Sequence, residues 1–138
     1  MRVVVDTNVI VSALMNANGS PAKILSLIFN GSVIMRYDNR IIFEYSEVLS
    51  RKEFGFSADL INDMINFFKH EGEYINADPV NVKFLDETDK KFYEVYRFGN
   101  PRRSPKLPQY LVTGNKRHFP KEASIINTKE FIEIYSVT

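Results

Sequence analysis

Val3-Val4-Val5 is a short β-branched run with no polar position, followed at once by Asp6, Thr7 and Asn8. A run without alternation suits a strand buried on both faces, as in a parallel sheet. From Val9 the period changes, and Val9, Ile10, Ala13 and Leu14 share one helical face. Residues 16–20 are polar and read as a loop. Ser20-Pro21 then signals a helix start, with Ser20 as cap and Pro21 in the first turn. Ile24, Leu25, Leu27 and Ile28 form its apolar stripe, and Asn30-Gly31 ends it. The pattern predicts a short strand over 32–36 and a helix capped by Asp38 or Asn39, with Ile41, Ile42, Tyr45, Val48 and Leu49 inward. A further helix is predicted over 57–70, with Leu60, Ile61, Met64, Ile65 and Phe68 inward. Tyr74-Ile75 is a weak strand, and Thr88 opens a helix carrying Phe92, Tyr93, Val95 and Tyr96. Residues 110–113 form a second buried strand, ended by Gly114-Asn115. Ile125-Ile126 is the last strand, and Thr128 caps a terminal helix through Phe131, Ile132 and Ile134. Strands alternating with helices predict a single α/β domain over residues 1–138 around a mostly parallel sheet.

Composition adds limits. The chain has 138 residues, the size of one ordinary domain, and 44% of them are hydrophobic, enough for a packed core. It has no cysteine, so no disulfide framework or thiolate metal site is available, which fits a reducing, cytoplasmic setting. No charged n-region with a long apolar stretch marks a signal peptide. No apolar stretch approaches the roughly 20 residues of a membrane span. The formal net charge is +1, so overall charge does not announce a nucleic-acid binder. Local basic clusters do exist, at Arg102, Arg103 and Lys106 and again at Lys116, Arg117 and His118, and either has the composition to track a phosphate backbone. Residues 99–108, rich in Pro, Arg and Lys, read as an exposed loop.

Candidate chemistry lies at the ends of elements. Asp6 stands at the carboxyl end of the first strand, the edge where open α/β sheets bind ligands. Two readings of it stand: a carboxylate placed to hold a cation, or a cap for the helix that follows. Glu44 lies beside Ile41 and Val48, near the apolar side of its helix, where a carboxylate needs a partner. Asp86 and Asp89 flank an acidic helix start, and Asn115 follows the Leu111–Val112 strand as Asp6 follows the first. Strand carboxyl ends share one edge of a parallel sheet, so Asp6 and Asn115 are expected to converge. Oxygen ligands of this kind suit Mg²⁺ or Mn²⁺. For each residue alone the plain reading, as a helix start, a turn or a half-exposed helix position, is the stronger one. His118 alone reads as a solvated histidine. Tyr110 and Phe119 read as core before they read as base-stacking groups, and Phe67-Phe68 with Phe54 and Phe56 as core or interface.

Five segments taken in order are more specific. Val3-Val-Val-Asp6-Thr-Asn8-Val-Ile-Val-Ser12-Ala, Gly19-Ser-Pro-Ala, Phe43-Glu44-Tyr-Ser-Glu47-Val-Leu-Ser-Arg51, Asp86-Glu-Thr-Asp89-Lys-Lys-Phe92-Tyr-Glu-Val and Tyr110-Leu-Val-Thr-Gly-Asn115-Lys-Arg-His118-Phe-Pro are spread, in order, over nearly the whole chain. In this order and spacing the chain resembles a PIN-domain protein, of the bacterial branch assigned as toxins of toxin–antitoxin systems. The resemblance implies a three-layer α/β/α PIN-like fold and a ribonuclease that cleaves RNA with Mg²⁺ or Mn²⁺. Matched by position, Asp6, Glu44, Asp89 and Asn115 resemble the four catalytic positions, with Asp6, Glu44, Asp86 and Asp89 as metal ligands. Asn115 stands where the family often has Asp, and brings a carbonyl oxygen without charge. Asn8 and Ser12 resemble polar residues lining the pocket. Arg102, Arg103, Lys106, Lys116 and Arg117 are the candidate RNA contacts. An antitoxin chain and a homodimer are the implied partners. One departure is plain: residues 96–108 are longer, more basic and richer in proline than the family pattern. With Asn115 it motivates a second expectation, a weak or inactive RNA- or protein-binding module on the same scaffold. A phosphate-handling enzyme of another kind is disfavoured because no Gly-rich phosphate loop is present.

Overall fold

The computed structural model describes residues 1–99 and 108–138. Five parallel strands form one sheet in the order β3-β2-β1-β4-β5. They are β1 (Arg2–Val5), β2 (Ile34–Tyr37), β3 (Glu73–Tyr74), β4 (Gln109–Val112) and β5 (Ile125–Ile126). Helices α1 (Thr7–Met15), α2 (Ser20–Phe29), α3 (Asn39–Leu49), α4 (Ala58–Glu71), α5 (Lys90–Gly99) and α6 (Thr128–Ser136) cover it as a three-layer α/β/α fold. α1, α2 and α6 pack together, while α3 and α4 pair and α5 lies against β1, β2 and β4.

β1 is the central strand, and Val3, Val4 and Val5 are all 0% exposed. That is the physical meaning of a run without alternation: both faces of the strand are roofed by helices. On the α3–α5 side an aromatic series fills the space under the helices. Tyr45 stands edge-on to Phe68 with centroids 5.8 Å apart, and tilted against Phe92 at 6.4 Å. Phe68 continues the series to Phe29. Phe119 and Tyr110 pack as core, against Phe84 and Phe131 respectively. Gly72 carries the chain from α4 into β3, where a Cβ would stand 2.5 Å from the Phe68 carbonyl oxygen and 2.8 Å from that of Met35.

Several boundaries differ from those the pattern predicts. α1 begins at Thr7, not Val9. Asp6 takes the cap position without a side-chain cap bond. Ser20 is the first residue of α2 rather than its cap, and its hydroxyl meets that of Thr128 at 2.7 Å. α6 is capped by Asn127, which with Glu130 forms a reciprocal capping box, and not by Thr128. Asp38 caps α3 through a side-chain oxygen, as the sequence suggests, and Ser57, read there as the first helical residue, caps α4 in the same way.

Candidate active site

The site lies at the carboxyl edge of the sheet, where β1 and β4 end side by side with Val5 paired to Val112. Asp6 follows β1 directly and is 4% exposed. Thr113 follows β4, and its hydroxyl donates to Asp6 Oδ2 at 2.7 Å while accepting the Asn115 N–H at 2.9 Å. Adjacent parallel strands therefore supply both an acid and the hydroxyl that orients it. Burial pushes the Asp6 carboxyl up to about 6, and the charges of Asp89 and Glu44 add to the rise, against the lowering by Thr113.

Glu44 reaches the same edge from α3. Its Oε2 accepts the Thr7 hydroxyl, and its Oε1 lies 2.6 Å from the Lys91 ammonium. Next to it on α3, Tyr45 is fully buried and donates its hydroxyl to the Val5 carbonyl oxygen. Burial first, and then the charges of Asp6 and Glu44, hold the Tyr45 phenol well above its usual range. It is thus a neutral clamp between α3 and the end of β1.

Asp89 is half-buried and ends a one-turn 3-10 helix (Glu87–Asp89) immediately before α5, so it is not on the helix itself. Its Oδ2 lies 3.1 Å from His118 Nδ1. Burial raises its carboxyl from the ordinary value, with Asp86 and Glu44 adding, while His118 opposes the rise.

The structure therefore brings Asp6, Glu44 and Asp89 into one electrostatic neighbourhood. Asp86 stands at its margin. It is exposed, and its Oδ1 accepts the N–H and hydroxyl of Thr88, which also lowers its pKa. Asn115 is half-buried and its backbone is fixed by Thr113 and by the His118 N–H, but its side chain makes no cap bond. Asn8 and Ser12 sit one helical turn apart on α1 and are exposed. His118 is not the solvated histidine expected from the sequence, because its turn (Lys116–His118) swings it onto Asp89. Lys116 and Arg117 are exposed on that turn, and Lys116 pairs with Glu130 at 2.9 Å. Arg102, Arg103 and Lys106 lie outside the described residues.

Thr7, Lys91 and Thr113 carry site bonds that the sequence pattern did not single out. Thr7 directly follows Asp6, Lys91 lies two positions after Asp89, and Thr113 lies two positions before Asn115. Spacing alone does not show which flanking polar side chain turns inward.

The donor set suits a hard divalent cation. Its groups are carboxylate oxygens, and the raised Asp6 pKa reflects first its burial and then the charges of Asp89 and Glu44. Among the described residues, no three Asp, Glu or His side chains are drawn together tightly enough to ligate one ion as they stand.

The geometry defines the class of fold: a parallel α/β sheet with a buried Asp6 and the half-buried Glu44 and Asp89 at its carboxyl edge. The chain matches the PIN domain family over residues 2–117, and it belongs to that family. It is also similar to the uncharacterized protein MJ1680 of the archaeon Methanocaldococcus jannaschii, at 36% identity over 99 residues, 69% of this chain. The match spans 63% of that relative's own length. No solved structure gives a significant match. Proteins of this family are generally nucleases that use divalent metal.

Proposed function

We propose that the protein is an endoribonuclease dependent on Mg²⁺ or Mn²⁺, acting in the cytoplasm as the toxin of a toxin–antitoxin pair. The observation that carries this reading is Asp6: a carboxyl group buried at the strand edge, raised to about 6 and flanked by the charges of Glu44 and Asp89. A divalent cation among these carboxylates would offset their mutual repulsion. Asp6 and Asp89 would offer carboxylates to the metal with Glu44 beside them, Thr113 orients Asp6, and His118 orients Asp89. When bound, the metal supplies Lewis-acid activation of water and stabilises charge on the scissile phosphate. Lys116 and Arg117, exposed on the turn that carries His118, would contact the RNA backbone. An antitoxin would offer a basic side chain to the same carboxylates. Phe43 and Leu85, 71% and 82% exposed beside Glu44 and Asp86, suit a partner surface, including that of a homodimer.

The test is cleavage of a structured RNA with Mn²⁺ or Mg²⁺, with and without chelator. Cleavage that stops with chelator and falls at least about a hundredfold in Asp6→Asn is expected, since a ligand and its charge are lost together. No cleavage, together with Mn²⁺ affinity unchanged by Asp6→Asn, would sink the reading. One observation favours a binding module without turnover: Glu44 already carries a cation from its own chain. RNA binding that persists in chelator and ignores Glu44→Gln would select that alternative.

A further inference from the structure

Lys91 lies in the first turn of α5, with a side chain only 13% exposed. Three neighbours fix its ammonium: Glu44 Oε1 at 2.6 Å, the Thr88 carbonyl oxygen, and the Phe92 ring, whose centroid is 5.1 Å away. The Thr7 hydroxyl takes the other Glu44 oxygen. Both oxygens of Glu44 are thus engaged by the protein itself. Asp6 and Asp89 differ: the partners of their side chains are a hydroxyl and an imidazole rather than a fixed ammonium.

We infer that Lys91 is a resident counter-cation of the site, holding Glu44 as an ion pair rather than as a metal ligand, so that Asp6 and Asp89 take a single divalent ion. The inference rests on the metal-dependent reading above and specifies its stoichiometry. With the three carboxylates ionised, one ammonium leaves a formal charge of −2, and Asn115 adds none. One divalent ion neutralises that charge, while a second would leave the site positive. Lys91 is then a positioning residue. It keeps Glu44 in place between α3 and α5, and lowers the number of ions the pocket holds.

The distinguishing experiment is calorimetric titration of the full chain with Mn²⁺ alone, on the wild type, Glu44→Gln and the double variant Glu44→Gln/Lys91→Met. Removing both members of the pair leaves no orphaned charge, so the double variant is the one that should fold cleanly. Its circular dichroism in chelator checks this. The wild type should bind one equivalent. Glu44→Gln should bind about tenfold or more weakly, because the unneutralised ammonium now repels the ion. The double variant, whose net site charge equals that of the wild type, should return to within about threefold of wild-type affinity. A merely structural lysine would not produce that restoration. Three results overturn the inference: two equivalents in the wild type, an unchanged Glu44→Gln, or a folded double variant that has lost Mn²⁺. A wild type that binds no Mn²⁺ overturns the metal-dependent reading itself, and this inference with it.

Discussion

Asp6 is a carboxylate that the fold buries at a cost. Its carboxyl ionises near pH 6 in the folded chain, against 3.8 as the ordinary value. Between those two values the folded state binds more protons than the unfolded state, so stability falls as pH rises through the window. At neutral pH the penalty reaches up to about 3 kcal/mol. In chelator, Asp6→Asn should therefore melt at a higher temperature than the wild type at pH 7.5, with the difference vanishing near pH 4. Melting curves at the two pH values check this. A variant no more stable at pH 7.5 would mean that the carboxylate is compensated from within. Metal affinity should fall below about pH 6 for the same reason, since the ion must displace the Asp6 proton.

At the scale of elements, each site group reaches the edge by a different local device. β1 and β4 deliver Asp6 and Thr113 because parallel strands end on the same side. α3 delivers Glu44 from the flank of its apolar stripe, with Tyr45 tied to the Val5 carbonyl fixing the rotation. A 3-10 turn capped by Asp86 delivers Asp89, and the turn after β4 delivers His118. Glu94 stabilises the same region from α5. It is 4% exposed, accepts from Arg40 at 2.6 Å and from the Val80 N–H at 2.8 Å, and so ties α3, α5 and the segment before Phe84 together. α6 depends on its capping box, since Glu130 Oε1 serves both the Asn127 N–H and Lys116. Asn127→Ala should cost about 1 kcal/mol, typical of a lost N-cap. Urea denaturation reads it as a lower midpoint with unchanged slope. RNA cleavage should hardly change, because α6 carries none of the carboxylates.

At the scale of the whole molecule, charge placement matters more than charge total. The formal net charge is +1, yet one edge of the sheet gathers carboxylates while Lys116 and Arg117 stand exposed on the adjoining turn. Lys116→Gln/Arg117→Gln should weaken RNA binding at every sequence alike. It should also lower the slope of log K against log salt by about 1–2, as counterion release requires. Lys116 is already paired with Glu130, so Arg117 should account for the larger share. An unchanged slope would move the RNA path off this turn. No helix among the described residues is long and apolar enough to cross a membrane.

The sequence by itself determined what local physics writes into a chain: the buried strands at Val3-Val4-Val5 and Leu111-Val112, the helical stripes, the cap at Asp38, and the order of motifs that marks the PIN family. Strand burial and helix period are properties of neighbours in sequence, so they are legible there. Only the tertiary structure decided which polar groups meet. Thr113 on Asp6 spans 107 positions, Thr7 on Glu44 spans 37 and His118 on Asp89 spans 29. Lys91 reaches Glu44 across the α3–α5 contact. Such pairs depend on how strands and helices register in space, to within the few ångströms over which a hydrogen bond or ion pair acts. No periodicity along the chain records that distance.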